Sequence, residues 1–270
     1  MNRFNALALV AGLALCVQSS ANAQALQEQV LEEQGLAQPA ATGSWNVTLG
    51  AGLADAPRYP GADTDRVRLV PLAQVSYDKT LFLGTSGLRW NLINIDGFRA
   101  GPVLGYLGGR NQDSDPRLNG LGDIHSSLTA GAFALYHRGP FEIGVTVRQA
   151  ITQTDNGLLG LVTADYLIPL MGRRMLLTFG PDMEFANARG NQTWFGVTPT
   201  QSFDSGLPVF TPGGGVRDVG AHATLTYHYS EHFLLRVFGS LKDLTGDDSN
   251  SPIVENRTQA LFGVGLAYHF

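Results

Sequence analysis

The sequence predicts an all-β protein, a transmembrane antiparallel β-barrel of about twelve strands. Three observations predict it: an export signal at the N-terminus, long segments that alternate apolar and polar or small residues, and a last segment that stops on Phe270.

The export signal comes first. Arg3 precedes an apolar stretch from Phe4 to Val17, followed by Gln18-Ser19-Ser20 and then Ala21-Asn22-Ala23. A basic start, an apolar run and an A-x-A site describe a secretory signal peptide, with cleavage expected after Ala23. A lipoprotein signal ending at Cys16 fits worse, because Leu15 stands where a small residue is wanted. The run is also shorter than the roughly 20 apolar residues of a spanning helix. Cleavage removes the only cysteine and one of the 18 basic residues, Arg3. The mature chain then has no thiol for a disulfide or a thiolate metal site.

Composition narrows the class. The whole chain carries a net charge of −5 without a long run of one sign, which argues against nucleic acid as a partner. With 33 glycines, 13 prolines, 44% hydrophobic residues and a mean hydropathy near zero, the chain is neither disordered nor a helical membrane protein. What remains is a soluble β protein or a membrane barrel, and strand length separates them. Phe141, Ile143, Val145 and Val147 oppose Glu142, Gly144, Thr146 and Arg148; Met175, Leu177, Phe179, Met183 and Phe185 oppose Arg174, Thr178, Asp182 and Glu184. Phe233, Leu235, Val237 and Leu241 oppose Arg236, Ser240 and Lys242. Similar runs cover about 45 to 54, 66 to 78, 80 to 92, 97 to 107, 123 to 137, 158 to 169 and 217 to 230. Each is near or above the roughly 9 to 11 residues of a tilted membrane strand, whereas soluble strands average about 5 to 6.

The connections agree. Arg138-Gly139-Pro140, Met171-Gly172-Arg173 and Ser230-Glu231 are tight, while 108 to 122, 188 to 216 and 244 to 256 are long and polar. Short turns at one end and long loops at the other are the outer-membrane pattern. Trp90, Tyr166, Tyr229 and Tyr268 near strand ends are candidates for interfacial girdles. In the final segment Phe262, Val264, Leu266, Tyr268 and Phe270 occupy alternate positions. Leu266, Tyr268 and Phe270 thus read as the C-terminal signal recognised by the barrel insertion machinery. Including the segment that ends there, eleven runs are evident, and bacterial single-chain barrels use an even number. Gln192 to Thr198 is the expected twelfth strand, which puts both termini in the periplasm; ten is the alternative.

Several short segments carry a family resemblance. Tyr59-Pro60-Gly61-Ala62-Asp63, with Arg66 and Pro71 after it, resembles the N-terminal signature of the MipA/OmpV family (MltA-interacting protein). So do Gly105-Tyr106 with Gly109-Arg110, then Gly120-Leu121-Gly122-Asp123, Trp194-Phe195-Gly196-Val197, Ser205-Gly206-Leu207 and Ser251-Pro252-Ile253-Val254. The match runs in order from about residue 43 to 270. The resemblance implies a cell outer-membrane barrel of a Gram-negative bacterium, in contact with membrane lipid and lipopolysaccharide. It also implies a non-enzymatic scaffold that brings a lytic transglycosylase together with a penicillin-binding protein in peptidoglycan synthesis. No motif defines the contacting residues.

Other chemistry competes with that reading. His125 and Ser127 share a strand face and resemble the His-x-Ser arrangement of outer-membrane lipid A deacylases, with Glu142 as a candidate orienting acid. His222 and His228 lie about 20 Å apart on one strand face, too far to share a metal. The carboxylates of Asp243 to Asp248 lack the spacing of a calcium loop. The sequence therefore assigns no catalytic residue, no cofactor and no metal site. Glu142, Arg148, Asp165, Arg174, Asp182, Glu184, Arg236 and Lys242 fall on the inferred lumen face, where mixed signs can pair across the lumen and plug it, although the size of such a barrel does not decide between a filled and an open interior. A pore or uptake channel stays open as the alternative to the scaffold. Residues 24 to 43, with Glu28, Glu32 and Glu33 among glutamines and alanines, read as a periplasmic tail before a barrel of residues 44 to 270.

Overall fold

Alternation turns every second side chain of a strand to one face, and a sheet with one apolar face and one polar face can close around its polar side in lipid. The computed structural model describes residues 45–78, 80–85 and 87–270. The signal segment with its cleavage site at Ala23, and the tail from 24 to 43, lie outside the described residues.

Thirteen strands make up one sheet: β1 (Trp45–Pro57), β2 (Asp65–Tyr77), β3 (Leu81–Gly84), β4 (Gly87–Trp90), β5 (Ile93–Ile95), β6 (Phe98–Leu107), β7 (Ser127–Arg138), β8 (Phe141–Ala150), β9 (Leu158–Leu170), β10 (Met175–Ala186), β11 (Gly215–His228), β12 (Phe233–Leu244) and β13 (Thr258–His269). All pairings are antiparallel and, β4 with β6 and β1 with β13 apart, join neighbours in sequence; β1 pairs with β13 from Thr48↔His269 to Asp55↔Phe262. Pairing of β4 with β6 completes the ring. β4 and β5 run one after the other along β6, so the barrel has twelve staves.

Twelve arises by a different route from the one the alternation suggested. Gln192 to Thr198 is not a strand: Gln192–Phe195 completes the helix α1 (Ala188–Phe195), which the Asn187 side chain caps by accepting from Gly190 N. Gly196 ends it, and Thr198 opens α2 (Pro199–Ser205) with a reciprocal cap to Gln201. The missing stave lies in the 80 to 92 run, which folds back on itself as the β3–β4 hairpin. Alternation continues across that turn, so two short staves read as one long run.

The outward face is apolar, with Leu53, Ile143, Leu241, Phe262, Val264 and Leu266 exposed to the surroundings. Aromatic pairs gather at the turn end: Trp45 with Tyr77 (ring centroids 4.8 Å apart), Phe141 with Tyr166 (4.9 Å) and Tyr268 with Phe270 (4.8 Å). Tyr166 and Tyr268 thus belong to one interfacial belt at that end, which in a barrel with short periplasmic turns is the periplasmic end. The opposite end carries the long loops, 108–126, 187–214 and 245–257.

One sector of wall is low. β2 pairs with β1 over its full length but with β3 only from Gln74 to Tyr77, so Asp65 to Ala73 have no strand partner on that side among the described residues. Proline cannot donate to a ladder and is confined to places where a bond is missing. Pro71 sits on this free edge; Pro102 sits where the β6 pairing jumps from β4 to β5; Pro181 sits in a gap of the β9–β10 register.

The facing of β13 can be tested by charge. Val264→Arg should cost about 2 to 4 kcal/mol at mid-membrane, read from the denaturant midpoint of folding into lipid vesicles. An unchanged midpoint would contradict the assignment of Val264 to the lipid face.

Candidate functional site: an occluded lumen under a folded lid

Strand tilt gives a twelve-stave barrel an interior wider than one layer of side chains fills, yet narrower than that of the large porins. Two materials fill it here. An apolar cluster of Ala54, Ala56, Val70, Leu72, Leu234, Phe238, Leu261 and Ala267 lines the β1, β2, β12 and β13 sector. Facing it from β8 to β12 is a network of ion pairs. His222 Nε2 lies 2.8 Å from Asp165 and its Nδ1 3.5 Å from Asp182. Lys242 Nζ lies 3.4 Å from Asp182 and 3.3 Å from Asp218. Asp182 and Lys242 reach each other across β11 because Gly220 stands between them; a Cβ there would come within 2.6 Å of Lys242 Cγ. Nearer the turn end, Glu142 pairs with Arg99 at 3.0 Å and lies 3.4 Å from His137 Nδ1. Arg236, fully buried, donates from Nε to Thr226 Oγ1 at 3.3 Å. Buried charges of this kind are stable only when paired, and pairing fixes their geometry.

Above the network the loops fold into a lid. α1 lowers Trp194 and Phe195 onto Leu107, Leu159, Ala186 and Leu244 at the tops of four strands. A second layer, Tyr59, Ala62, Leu118, Leu121, Val197 and Ile253, joins four loops. Arg217 ties lid to barrel. Its Nη1 donates to Glu184 at 2.8 Å, its Nη2 to Asn191 of α1 at 3.3 Å, its Nε lies 3.9 Å from Asp248, and its guanidinium stacks 5.5 Å from the Phe195 ring centre. Asp248 is buried, and loss of hydration pushes its carboxyl up to about 7, against the opposing pull of Arg217. Burial also raises the Tyr59 hydroxyl, which stays protonated 2.8 Å from Glu255 Oε2 and 3.1 Å from the Ile253 carbonyl.

A family model described as MltA-interacting protein MipA matches residues 49–270. The chain belongs to the MipA family. Among solved structures the chain is similar to the translocator domain of autotransporter NalP from Neisseria meningitidis, with a TM-score of 0.47, 11% identity, and coverage of 93% of this chain and 96% of that one. It is also similar to an outer membrane channel from Pseudomonas putida F1, with a TM-score of 0.43, 13% identity, and coverage of 88% and 98%. No curated protein sequence matches. Family and barrel together place this chain in a Gram-negative outer membrane.

The MipA segments noted in the sequence converge on the lid. Gly61 N donates to Gln259 at 3.0 Å. Arg110 Nη1 donates to the Trp194 carbonyl at 2.9 Å, and Gly109 precedes it where loop 108–126 doubles back on Ile124. Gly120 takes a φ of +83° with Asp204 of α2 against it, so a side chain has neither a relaxed backbone nor room. Gly122 N donates to the Gln112 side chain, and Asp123 accepts from Gln112 N. Ser251 Oγ donates to the Phe195 carbonyl beside the Gly196 cap, and Arg117 donates to the Pro252 carbonyl. Asp63 is exposed in the Tyr59 loop, and Pro71 stands apart on β2. Leu266 and Tyr268 lie at the turn end of β13 and Phe270 follows it, with Leu266 and Phe270 exposed on the lipid face and Tyr268 half-buried.

Other candidates come apart. Ser127 at the loop end donates to the Thr152 carbonyl at 2.8 Å, while Glu142 lies opposite His137, ten residues and roughly 30 Å further along β7. The His125, Ser127 and Glu142 set is therefore not assembled. Asp243, Asp247 and Asp248 turn to Thr258, Gly213 and Arg217 respectively, rather than to a common centre. Of the expected lumen charges, Arg174 sits exposed at the end of a turn, and the other seven are buried or half-buried. Alternation missed Arg217 as a lumen residue. A β-bulge between Glu184 and Phe185 shifts the register so that Arg217 and Asp218 both point inward.

Two outcomes follow for the lid. Arg217→Ala strands buried carboxylates on both sides, at a cost of about 3 to 5 kcal/mol, and should make loop 187–214 a site of rapid limited proteolysis in an otherwise intact barrel. Asp248 binds its proton more tightly in the folded loop than in an extended one. Its contribution is therefore fully present below the ordinary carboxylate range and is lost as pH rises through about 7. Proteolysis of loop 245–257 should be faster at pH 8 than at pH 6 in the natural protein, and insensitive to that change in Asp248→Asn.

Proposed function

We propose that this MipA-family barrel is a non-enzymatic outer-membrane scaffold rather than a diffusion channel, holding a murein-cleaving lytic transglycosylase near a murein-building penicillin-binding protein. The observation that supports it best is the lining of the lumen: buried ion pairs on β9 to β12, an apolar cluster on β1, β2, β12 and β13, and α1 packed on the strand ends at the outer mouth. A barrel so lined offers partner proteins its surfaces, not its interior.

The docking surface must be periplasmic, because murein is there. The turns described at that end are short, at 96–97, 139–140, 171–174 and 229–232, and a stable interface needs about 800 Å² from each partner. That points to the tail, residues 24 to 43, as the main docking element. Deleting residues 24 to 40 should leave heat-modifiable barrel in the outer membrane but reduce capture of both enzyme classes from solubilised envelopes. If the full-length protein captures neither enzyme and conducts ions in planar bilayers, the channel reading replaces this one.

A further inference from the structure

Charge is shared unevenly around the lumen wall. From β9 to β11 the acids Asp165, Asp182 and Asp218 are each held by His222 or Lys242. From β4 to β8 the balance reverses. Arg89, Arg99 and Arg148 face inward there, Glu142 is the acid on that wall among the described residues, and Arg99 takes it at 3.0 Å. Arg89 and Arg148 make no ion pair and no hydrogen bond among the described residues.

Register brings these two arginines to one level. Arg89 of β4 pairs with Val103 of β6, Val103 with Gly131 of β7, and Gly131 with Arg148 of β8, so all four turn to the same face. Three strand spacings separate the ends of that row, about 14 Å along the wall, and Gly131 puts no side chain between Val103 and Arg148. The guanidinium carbon of Arg89 lies 5.4 Å from the Phe82 ring centre and 5.2 Å from that of Phe133. Ring contacts hold the cation but supply no oxygen acceptor for its N–H fork. Its Nε is shielded from solvent without a hydrogen-bond partner. Thr129, the next inward residue on β7, is buried with its hydroxyl unpartnered. Val103, Phe133 and Leu135 make an apolar floor. Leu159, the β9 partner of Arg148, carries Trp194 and Phe195 of the lid, and the buried Trp194 indole N–H also has no acceptor. Arg89 and Arg148 themselves are half-buried, within reach of solvent below the lid.

We infer that the β4 to β8 wall of the lumen binds one small organic anion, its carboxylate between Arg89 and Arg148 and its apolar body on Val103, Phe133 and Leu135. Two guanidinium forks attract and orient a carboxylate, Thr129 adds a donor, and neither arginine has to give up a protein partner. A cation suits this wall badly, since its acid is already taken by Arg99. The site is independent of the scaffold reading, which concerns proteins at the barrel surface.

Fluorine NMR of the full mature chain in lipid nanodiscs tests it, with para-(trifluoromethyl)benzoate as the probe and the isosteric para-(trifluoromethyl)benzamide as its uncharged control. At low salt the benzoate should bind saturably, one per barrel, about tenfold more tightly than the amide. Arg148→Gln, which strands no acid, and Arg89→Gln should each bring the benzoate down to the level of the amide while heat-modifiable mobility is kept. Thr129→Val removes only a hydroxyl and should weaken the benzoate severalfold, which keeps the site open to test where an arginine variant fails to fold. Equal binding of the two probes, no saturable binding, or undiminished benzoate binding to folded Arg148→Gln or Thr129→Val would each overturn the proposal.

Discussion

In hydrocarbon a backbone N–H or C=O has no water to turn to, and the whole architecture answers that demand. An open sheet leaves two edges unsatisfied, so the chain must return to its beginning: β13 pairs with β1, and Phe270 N reaches the Val47 carbonyl to finish the seam. Closure sets the strand number, strand number sets the width, and width leaves an interior that neither a single layer of side chains nor bulk water suits. The ion-pair network and the lid are responses to that width. They line that interior and cover its outer mouth without adding strands.

The lid follows from the same closure. Antiparallel staves put every long connection at one end, so loops distant in sequence arrive side by side. Tyr59 meets Ile253, and Arg110 meets Trp194, across 194 and 84 residues. Arg217 then joins that layer to the wall. The bulge that turns it inward is a one-residue irregularity, yet it decides whether the loops rest on the barrel as a stopper or stand off it.

Much of this was legible in the sequence because few architectures besides a membrane barrel produce period-2 alternation over runs of membrane length. The lipid face of β13, the turn end and the loop end were all readable that way, and the order of the short MipA segments gave the family. Alternation says nothing about reversals of direction, however, which is why the 80 to 92 run concealed two staves. Nor does it separate a short amphipathic helix from a strand when Trp194 and Phe195 are apolar in both; the caps at Asn187 and Thr198 were the available signal. The lumen charges could be counted but not paired, since pairing depends on register and on the space left by a glycine such as Gly220. Arg217 was invisible to periodicity because a bulge breaks the period at that residue.

Three of the five strand prolines bear on how such a wall deforms. A ladder resists shear through its hydrogen bonds, and Pro71, Pro102 and Pro181 each mark a place where one bond is absent. Pro71 lies on β2 and Pro102 on β6, the two staves that frame the low sector, while the seam between β1 and β13 is paired without interruption from Thr48 to Asp55. The barrel is therefore mechanically uneven, stiff at its seam and compliant on either side of its lowest wall. Changes in bilayer thickness or lateral pressure would be taken up there first, and the sequence marks that compliance with a residue that cannot donate.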